Sequence, residues 1–305
     1  WQDMEKFIEL GQDMAQLWAA HWDRYLAGIG NTLALAVVAT VIGCVIGLLC
    51  GILNTIPYTK RDPIIKRFFL KLIRVVVRIY VEVFRGTPMV LQAVFIYYGL
   101  PFFTNEQVMF RGNGGLWLAA IIVVSINTGA YMAETVRGGI LSIDPGQTEG
   151  AKAIGMTHVQ TMTSVILPQA FRNILPQVGN NFIINIKDTS VMFVIGFVEF
   201  FGVHRNIVGN NYMYFQSAAI EMLGYLTMTL VFSFVLRRVE RLLAGPSSYK
   251  LAAALPRAMA AGTYRHPKKG HAPEDRNREY RERLKKEERE RLRQAPKQGQ
   301  NRGGR

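Results

Sequence analysis

The sequence predicts an all-α, polytopic membrane protein with five transmembrane helices. Half of its 305 residues are hydrophobic, and apolar runs near the ~20 residues that a helix needs to cross a bilayer recur along the chain. Lys and Arg concentrate in alternate loops between these runs, as cytoplasmic loops do. An odd number of spans, with the N-terminus outside and the C-terminus inside, satisfies this charge rule at every loop.

The net charge of +14 belongs to one end of the chain. From Arg237 onward there are 20 Lys/Arg and 8 Asp/Glu, which leaves a net charge of about +2 for all the residues before it. Nucleic acid is therefore not predicted as a partner of the fold. Cys44 and Cys50 both lie in the first apolar run, so neither a disulfide framework nor a metal site is expected.

Residues 1–27 form a separate N-terminal segment, which the charge rule places on the external side. Apolar residues recur in it at helical spacing, and its polar face is rich in acid. Two interpretations stay open. The segment is either an amphipathic helix on the membrane surface, with its Trp residues at the interface, or a helix packed against the rest of the protein.

The first predicted span is Leu33–Leu53, which carries no charge. Gly43, Gly47 and Gly51 fall on one face of it, at a spacing that lets a neighbouring helix approach closely. This pattern predicts a packing seam. The stretch that follows, 54–78, is basic and interrupted by prolines, so it is predicted to be a cytoplasmic loop.

Four more spans complete the transmembrane domain, which is assigned to residues 28–243. They are Gly86–Phe103, Leu116–Ala133, Asn180–Phe200 and Ala218–Leu236. The weak point of this scheme is Glu221, an acid near the outer end of the fifth span.

The fourth span contains the adjacent charged residues Lys187 and Asp188. A charge inside the hydrocarbon costs at least ~2.5 kcal/mol, and such residues usually face a cavity and serve function. Neighbouring residues on a helix point in different directions and do not satisfy each other easily. The pair therefore predicts a binding site for a polar, charged solute, with a salt bridge between neighbouring helices as the alternative.

Two short helices, each with capping signals in the sequence, are predicted between the third and fourth spans. Asp144 with Gln147, and Thr157 with Gln160, have the spacing of capping boxes. Gly155 is placed to end the first helix in a left-handed conformation, and the second is predicted to lead to Pro168. A rigid corner of this kind suits a docking element.

The same corner carries a recognisable motif. Glu149–Gly155, followed by Ile166-Leu167-Pro168, resembles the EAA loop of ATP-binding-cassette importer permeases. Gly150 stands where that loop usually has Ala. Further stretches are similar to marks of the polar amino-acid uptake branch of these permeases: Phe84–Pro88, Thr128–Tyr131, Gly146-Gln147 and Lys187–Ser190. The resemblance covers roughly residues 28–240.

This resemblance implies a type I importer permease fold and a permease subunit in the cytoplasmic (inner) membrane of a prokaryote. It implies transport of a polar amino acid with two ATPase subunits, a second permease subunit that is identical or related, and an external amino-acid-binding protein. ATP and Mg²⁺ would be bound by the partner ATPases, since this chain has no Walker loop. The chain itself would then be neither an enzyme nor a cofactor-binding protein.

The resemblance also assigns residues to roles. Segment 142–169 becomes the coupling loop, and the residues expected to contact an ATPase are Gln147, Glu149, Gly150, Ala151, Ala153 and Gly155. A zwitterionic amino acid offers a carboxylate for Lys187 and an ammonium for Asp188, with hydroxyl groups beside them. The expected substrate-binding residues are Lys187, Asp188, Thr189, Ser190, Asn127, Tyr131 and Glu82. Tyr131 is equally compatible with core packing, and Lys187 with balancing an acid.

Two other classes of protein fit parts of the sequence. A secondary transporter driven by an ion gradient would use Lys187 and Asp188 as readily, but it leaves the double-capped corner unexplained. A membrane scaffold would act through the basic tail, 244–305. That tail fits a solvated helix or a disordered segment, and its charge predicts attraction to anionic membrane lipid rather than to nucleic acid.

Overall fold

The computed structural model describes residues 2–58, 62–105 and 109–243, and every regular element in these ranges is helical. This confirms the predicted all-α class. The basic tail predicted at 244–305 lies outside the described residues. The helices, in chain order, are α1 Gln2–Thr55, α2 Ile64–Gly86, α3 Met89–Phe103, α4 Gly112–Leu141, α5 Pro145–Ala153, α6 His158–Ile195, α7 Phe200–Asn211 and α8 Tyr214–Leu243.

By length and composition, α1, α4 and α8 qualify as membrane spans among the described residues. A fourth span results when α6 and α7, which are bent by 49° relative to each other, are taken together. Helix α3 is apolar but shorter. The membrane-helix bundle is thus present, while the fifth span of the predicted topology depends on how α3 is assigned.

The stretch predicted as the loop 54–78 is mostly the helix α2, so that prediction is wrong. Apolar side chains recur at helical spacing from Ile64 to Val83, and basic side chains occupy another face. Pro63 immediately precedes the helix, where proline is tolerated because the first N–H groups of a helix have no intrahelical partner. Arg74 ties α2 to the end of α1 by donating to the Ile56 carbonyl.

The N-terminal segment is the first part of α1, which runs on past a kink at His21 (φ −137°, ψ 17°). Its second half packs against the protein: Leu17 is buried, and the Gln216 side chain donates to Asp13 at 3.0 Å. Its first half leaves Phe7 75% exposed. The packed-helix interpretation therefore holds for the second half, and the membrane-surface interpretation of the first half stays a prediction.

The predicted glycine seam is confirmed, and its neighbour is α4 of the same chain. A Cβ atom added at Gly43 would lie 2.6 Å from the Thr128 Cβ, and one added at Gly51 would lie 2.6 Å from the Val136 Cβ. Such distances are far below van der Waals contact, so the two helix backbones touch only because these positions lack side chains.

Helix α6 does not end at Pro168 as predicted. It continues from His158 to Ile195 through a π-helical turn at Met162–Ile166 and a second internal proline, Pro176. A π turn changes the hydrogen-bond register and lets a helix accommodate a residue that cannot donate. Proline therefore marks a local irregularity here and not a helix end.

Candidate substrate site and coupling surface

The charged pair in the fourth span lies where α6 changes from α-helical to 3₁₀ geometry. Lys187 and Asp188 close the α-helical part, and Thr189–Ile195 form the 3₁₀ turns. Gly196 then adopts a left-handed conformation (φ +87°), and the chain bends by 49° into α7. The predicted straight span Asn180–Phe200 is therefore a bent segment, and the bend brings α7 and α8 beside the charged pair.

A cavity of about 350 Å³ lies between α6, α7 and α8. Its lining residues are Lys187, Ser190, Phe201, His204, Ala218, Glu221, Met222 and Tyr225. Asp188 and Thr189 are not among them. Asp188 is half-buried, whereas Thr189 is fully buried and donates its hydroxyl to the Ile186 carbonyl at 3.0 Å.

Glu199 is a buried acid that sequence reasoning missed. Its carboxylate caps α7 by accepting from the backbone N–H groups of Phe201 (2.9 Å) and Gly202 (2.8 Å). It also accepts from the hydroxyl groups of Tyr225 (2.8 Å) and Thr32 (3.4 Å). Four donors satisfy this acid, so it holds together α7, α8 and α1 and has little capacity left for a ligand.

Glu221 is the contrasting case. Only 4% of the residue is exposed, and one of its carboxylate oxygens is enclosed without a hydrogen-bond partner. In the sequence this residue was only an irregularity of the fifth span. An acid inside an otherwise apolar span was the signal that could have identified it as a site residue.

A second set of polar groups reaches the cavity through His204. The Tyr25 and Ser217 hydroxyl groups lie 3.1 Å apart, and the Ser217 hydroxyl lies 2.9 Å from the His204 Nδ1 atom. These groups satisfy one another inside the protein, and they link α1, α7 and α8 at the same level as the cavity.

Asn127 and Tyr131, predicted as ligand contacts, lie elsewhere in the bundle. The Asn127 amide donates to the Phe84 carbonyl and to the Gln92 side chain, both at 3.1 Å, and so it bridges the break between α2 and α3. The Tyr131 ring lies under the Arg85 guanidinium, 5.3 Å from ring centroid to Cζ. The structure does not bring either residue to the lining of the Lys187 cavity.

Glu82 lines a second cavity, of about 390 Å³, at the ends of α1, α2 and α4. Its charged lining residues are Arg74, Arg78, Glu82, Arg85, Glu134 and Arg137. Arg85 pairs with Glu134 at 2.6 Å, which ties α2 to α4. The predicted substrate residues therefore fall into separate parts of the bundle.

The predicted corner between the third and fourth spans is present, with the predicted end of α5 and one of the two predicted capping boxes. Asp144 caps α5 by accepting from the Gly146 N–H at 2.7 Å. Gly155 is left-handed (φ +82°), and its N–H donates to the Lys152 carbonyl at 3.0 Å. The next N–H, of Met156, donates back into α5 at 3.1 Å. This pair of bonds is the Schellman ending.

The second capping box is also present. Thr157 accepts from the Gln160 N–H at 3.3 Å, and the Gln160 side chain accepts from the Thr157 N–H at 2.8 Å. The first box is not completed as predicted, because Gln147 instead accepts from the Gln169 side chain at 3.4 Å. That bond joins α5 to α6 and holds the corner closed.

The corner presents most of its predicted coupling residues to solvent. The exposed ones are Gln147, Glu149, Gly150, Ala153 and Gly155, and Ala151 is buried. Sequence reasoning missed two apolar residues at the tip, Ile154 and Val159, which are 79% and 68% exposed. Large apolar side chains that remain exposed to solvent at the ends of capped helices are typical of a surface that a partner covers.

His158 begins α6 at the same corner. Burial and the positive charges of Lys152 and Lys66 hold its pKa below the ordinary value for histidine. The ring is therefore neutral near pH 7, and Lys66 brings the start of α2 close enough to influence this corner electrostatically.

A bundle of membrane-length helices, with a charged cavity inside it and a rigid exposed corner at one end, defines a membrane permease. Residues 43–245 match the family described as binding-protein-dependent transport system inner membrane component, and the chain belongs to this family.

Curated relatives support this assignment. The glutamine transport system permease protein of Escherichia coli (strain K12) is 37% identical over 227 residues, which cover 73% of this chain and 96% of the relative. The arginine transport system permease protein of Bacillus subtilis (strain 168) is 33% identical over 219 residues, covering 71% and 90%.

Solved structures agree. The crystal structure of an amino acid ABC transporter with histidines matches with a TM-score of 0.63 and 35% identity over 73% of this chain and 95% of that one. The MetNI methionine ABC transporter in an inward-facing conformation matches with a TM-score of 0.58 and 20% identity over 73% and 98%, which shows a shared fold. The resemblance to importer permeases is confirmed: the chain is a permease subunit of the ABC importer class.

Proposed function

We propose that this chain forms the membrane path for a polar, zwitterionic amino acid and that ATP hydrolysis by separate subunits drives the import. The observation that carries the substrate class is the cavity between α6, α7 and α8, which contains Lys187 and Ser190. The relatives named for glutamine and arginine transport agree with an amino acid.

The physical reason is the cost of charge in the membrane. A lysine and two acids at this depth are tolerated where water or a solute reaches them, and a zwitterion brings one charge of each sign. Lys187 meets the carboxylate of the solute, and Ser190 adds a hydrogen bond. Asp188 borders the same path as the counter-charge beside Lys187, and Thr189 supports the turn from inside.

Five spans per subunit are proposed, with α3 and the adjoining part of α2 serving as the span that α3 is too short to form alone. The N-terminus lies outside and the C-terminus inside, because Arg237, Arg238 and Arg241 follow the apolar part of α8. The corner at α5 then faces the cytoplasm, as docking to ATPase subunits requires.

The remaining partners are proposed from the family. Two ATPase subunits, which carry the ATP and Mg²⁺, dock on the corner at Gln147–Gly155. A second permease subunit, identical or related, completes the path, and an external binding protein delivers the amino acid. The two exposed apolar side chains of the corner, Ile154 and Val159, suit a groove on the ATPase.

The test is uptake of radiolabelled L-glutamine and L-arginine by proteoliposomes that contain the chain copurified with its ATPase subunits and supplied with its binding protein. Uptake of at least one of them should require ATP, and Lys187→Ala or Asp188→Ala should abolish it while the complex still assembles. Uptake by this chain alone without ATP, or wild-type uptake by both variants, would refute the proposal. Lys6→Ala, a change in the external half of α1, is the matched control.

A further inference from the structure

We infer that Glu221 holds the ammonium group of the transported amino acid while Lys187 takes its carboxylate, so that one small cavity recognises both charges of a zwitterion. This assignment rests on the proposed function and specifies the residues of the site. It differs from the expectation from sequence, in which Asp188 met the ammonium.

The first support is which polar groups of the cavity are already engaged. The Tyr225 hydroxyl donates to Glu199, and His204 is paired through Nδ1 with a serine hydroxyl. Among the described residues, the structure gives no hydrogen bond or ion pair to the side chains of Lys187 and Ser190. The groups left for a ligand are therefore one ammonium, one hydroxyl and the carboxylate of Glu221.

The second support is the unpartnered oxygen of Glu221. The residue is almost fully buried, and one carboxylate oxygen is enclosed without a donor. The other oxygen has a backbone hydrogen bond at His204, but an enclosed carboxylate oxygen without a donor is costly, and this cost falls when a cation arrives. An ammonium group supplies three donors. Glu199 does not compete for it, because four donors within the protein already satisfy that acid.

The third support is the arrangement in space. Lys187 comes from α6 and Glu221 from α8, so the two charges line the cavity from different helices and no ion pair within 4.0 Å joins them in the described chain. The volume of about 350 Å³ lies at the lower end of the range of roughly 300–1,000 Å³ for small-molecule pockets. An amino acid is a ligand of suitable size and charge pattern.

The experiment separates the two charges with matched ligands. Binding of L-glutamine is measured on the copurified complex without its binding protein, beside glutaramate, which lacks the ammonium, and L-arginine beside agmatine, which lacks the carboxylate. Glu221→Gln should weaken binding of the two amino acids at least tenfold and leave that of glutaramate unchanged. Lys187→Gln should weaken binding of both amino acids and of glutaramate, and leave that of agmatine unchanged.

A second measurement does not depend on the variants. Dicyclohexylcarbodiimide modifies carboxyl groups in apolar surroundings, and peptide mass spectrometry should find the adduct on Glu221 of the wild-type complex. L-Glutamine or L-arginine should protect it, whereas the exposed, ion-paired Glu134 should behave the same with and without amino acid. If Glu221→Gln does not assemble, Glu221→Asp and the protection experiment still test the assignment.

The outcomes distinguish the two levels of the proposal. If the wild-type complex imports either amino acid but Glu221→Gln binds and imports it normally, the assignment of Glu221 is wrong and the import function stands. Absence of the Glu221 adduct, or an adduct that no amino acid prevents, also refutes the assignment. If the wild-type complex imports neither amino acid, the proposed function fails first.

Discussion

Two turns between helices, at Gly155 and at Gly196, have the same backbone conformation but different surroundings. At the Gly155 corner, between α5 and α6, the glycine has φ +82°, and at the Gly196 corner, between α6 and α7, it has φ +87°. Each glycine N–H donates to the carbonyl three residues earlier, and each following N–H to the carbonyl five residues earlier. A side chain then caps the next helix: Thr157 at the Gly155 corner and Glu199 at the Gly196 corner.

The difference is where the cap finds its partners. Thr157 is exposed, and its capping box is completed by Gln160, three residues away. Glu199 is fully buried and is completed by Tyr225 from α8 and Thr32 from α1. The same capped turn therefore has two uses. Exposed to water, it is completed by residues a few positions away; buried in the bundle, it joins helices that lie far apart along the chain.

The largest expected effect is that of removing the buried cap. Glu199→Ala leaves two backbone N–H groups and two hydroxyl groups without their acceptor, and it should lower the free energy of unfolding by about 3 kcal/mol or more. Thermal unfolding of the purified complex in detergent measures this. Glu9→Ala, which removes an exposed acid, is the control. If Glu199→Ala lowers the free energy of unfolding no more than Thr157→Ala does, the proposed difference between the two corners is wrong.

The next effect tests the part that the corners share. Gly155→Ala and Gly196→Ala should each lower stability by about 1–2 kcal/mol, because an L-residue in the left-handed region is strained. A Cβ atom at either position meets nothing within 4 Å, so the cost is that of the backbone alone. The same unfolding assay compares them, and clearly unequal losses would show that the two turns are not equivalent.

A smaller loss is expected at the exposed cap. Thr157→Ala should lower the free energy of unfolding by about 1 kcal/mol, since one capping bond is lost to water. Gly150→Ala in the preceding helix is the opposite control. It has open space around it and should be neutral or stabilise by up to about 1 kcal/mol. A Thr157→Ala loss as large as that of Glu199→Ala would contradict the assignment of this cap as a local one.

The smallest effect on stability should accompany a large effect on activity. Glu149→Lys changes an exposed side chain of α5 and should alter the unfolding free energy by at most about 0.5 kcal/mol, yet abolish copurification of the ATPase subunits or their stimulated ATP turnover. Glu149→Gln keeps the shape and shows how much the charge itself matters. Normal copurification and turnover in Glu149→Lys would argue against coupling at this corner.

Much of the Gly155 corner could be predicted from sequence, because capping and glycine conformation depend on only a few neighbouring residues. The left-handed Gly155 and the Thr157–Gln160 box followed from spacing alone, as did the seam at Gly43 and Gly51. The site was only half predicted. Lys187 was evident as a charge in an apolar run, but Glu221 looked like an irregularity, because the cavity that it lines is formed together with residues of other helices.

The errors have the same origin. The basic charges before Arg78 predict a loop, but the apolar side chains of the same stretch recur at helical spacing, and a helix can present a basic face and an apolar face together. Pro168 predicts a helix end, because rules based on neighbouring residues do not include the π turn that accommodates this proline. Both assignments depended on the surroundings of the segment.

The sequence by itself determined the helical membrane class, the capped corner at Gly155 and the presence of charge within an apolar run, since hydropathy, capping and charge each act locally on the chain. Only the tertiary structure decided that Glu199 is satisfied and Glu221 is not, and that Lys187 shares its cavity with the latter. The donors and acceptors that make this difference lie far apart along the chain, and the packing of α1, α6, α7 and α8 alone brings them within hydrogen-bond range.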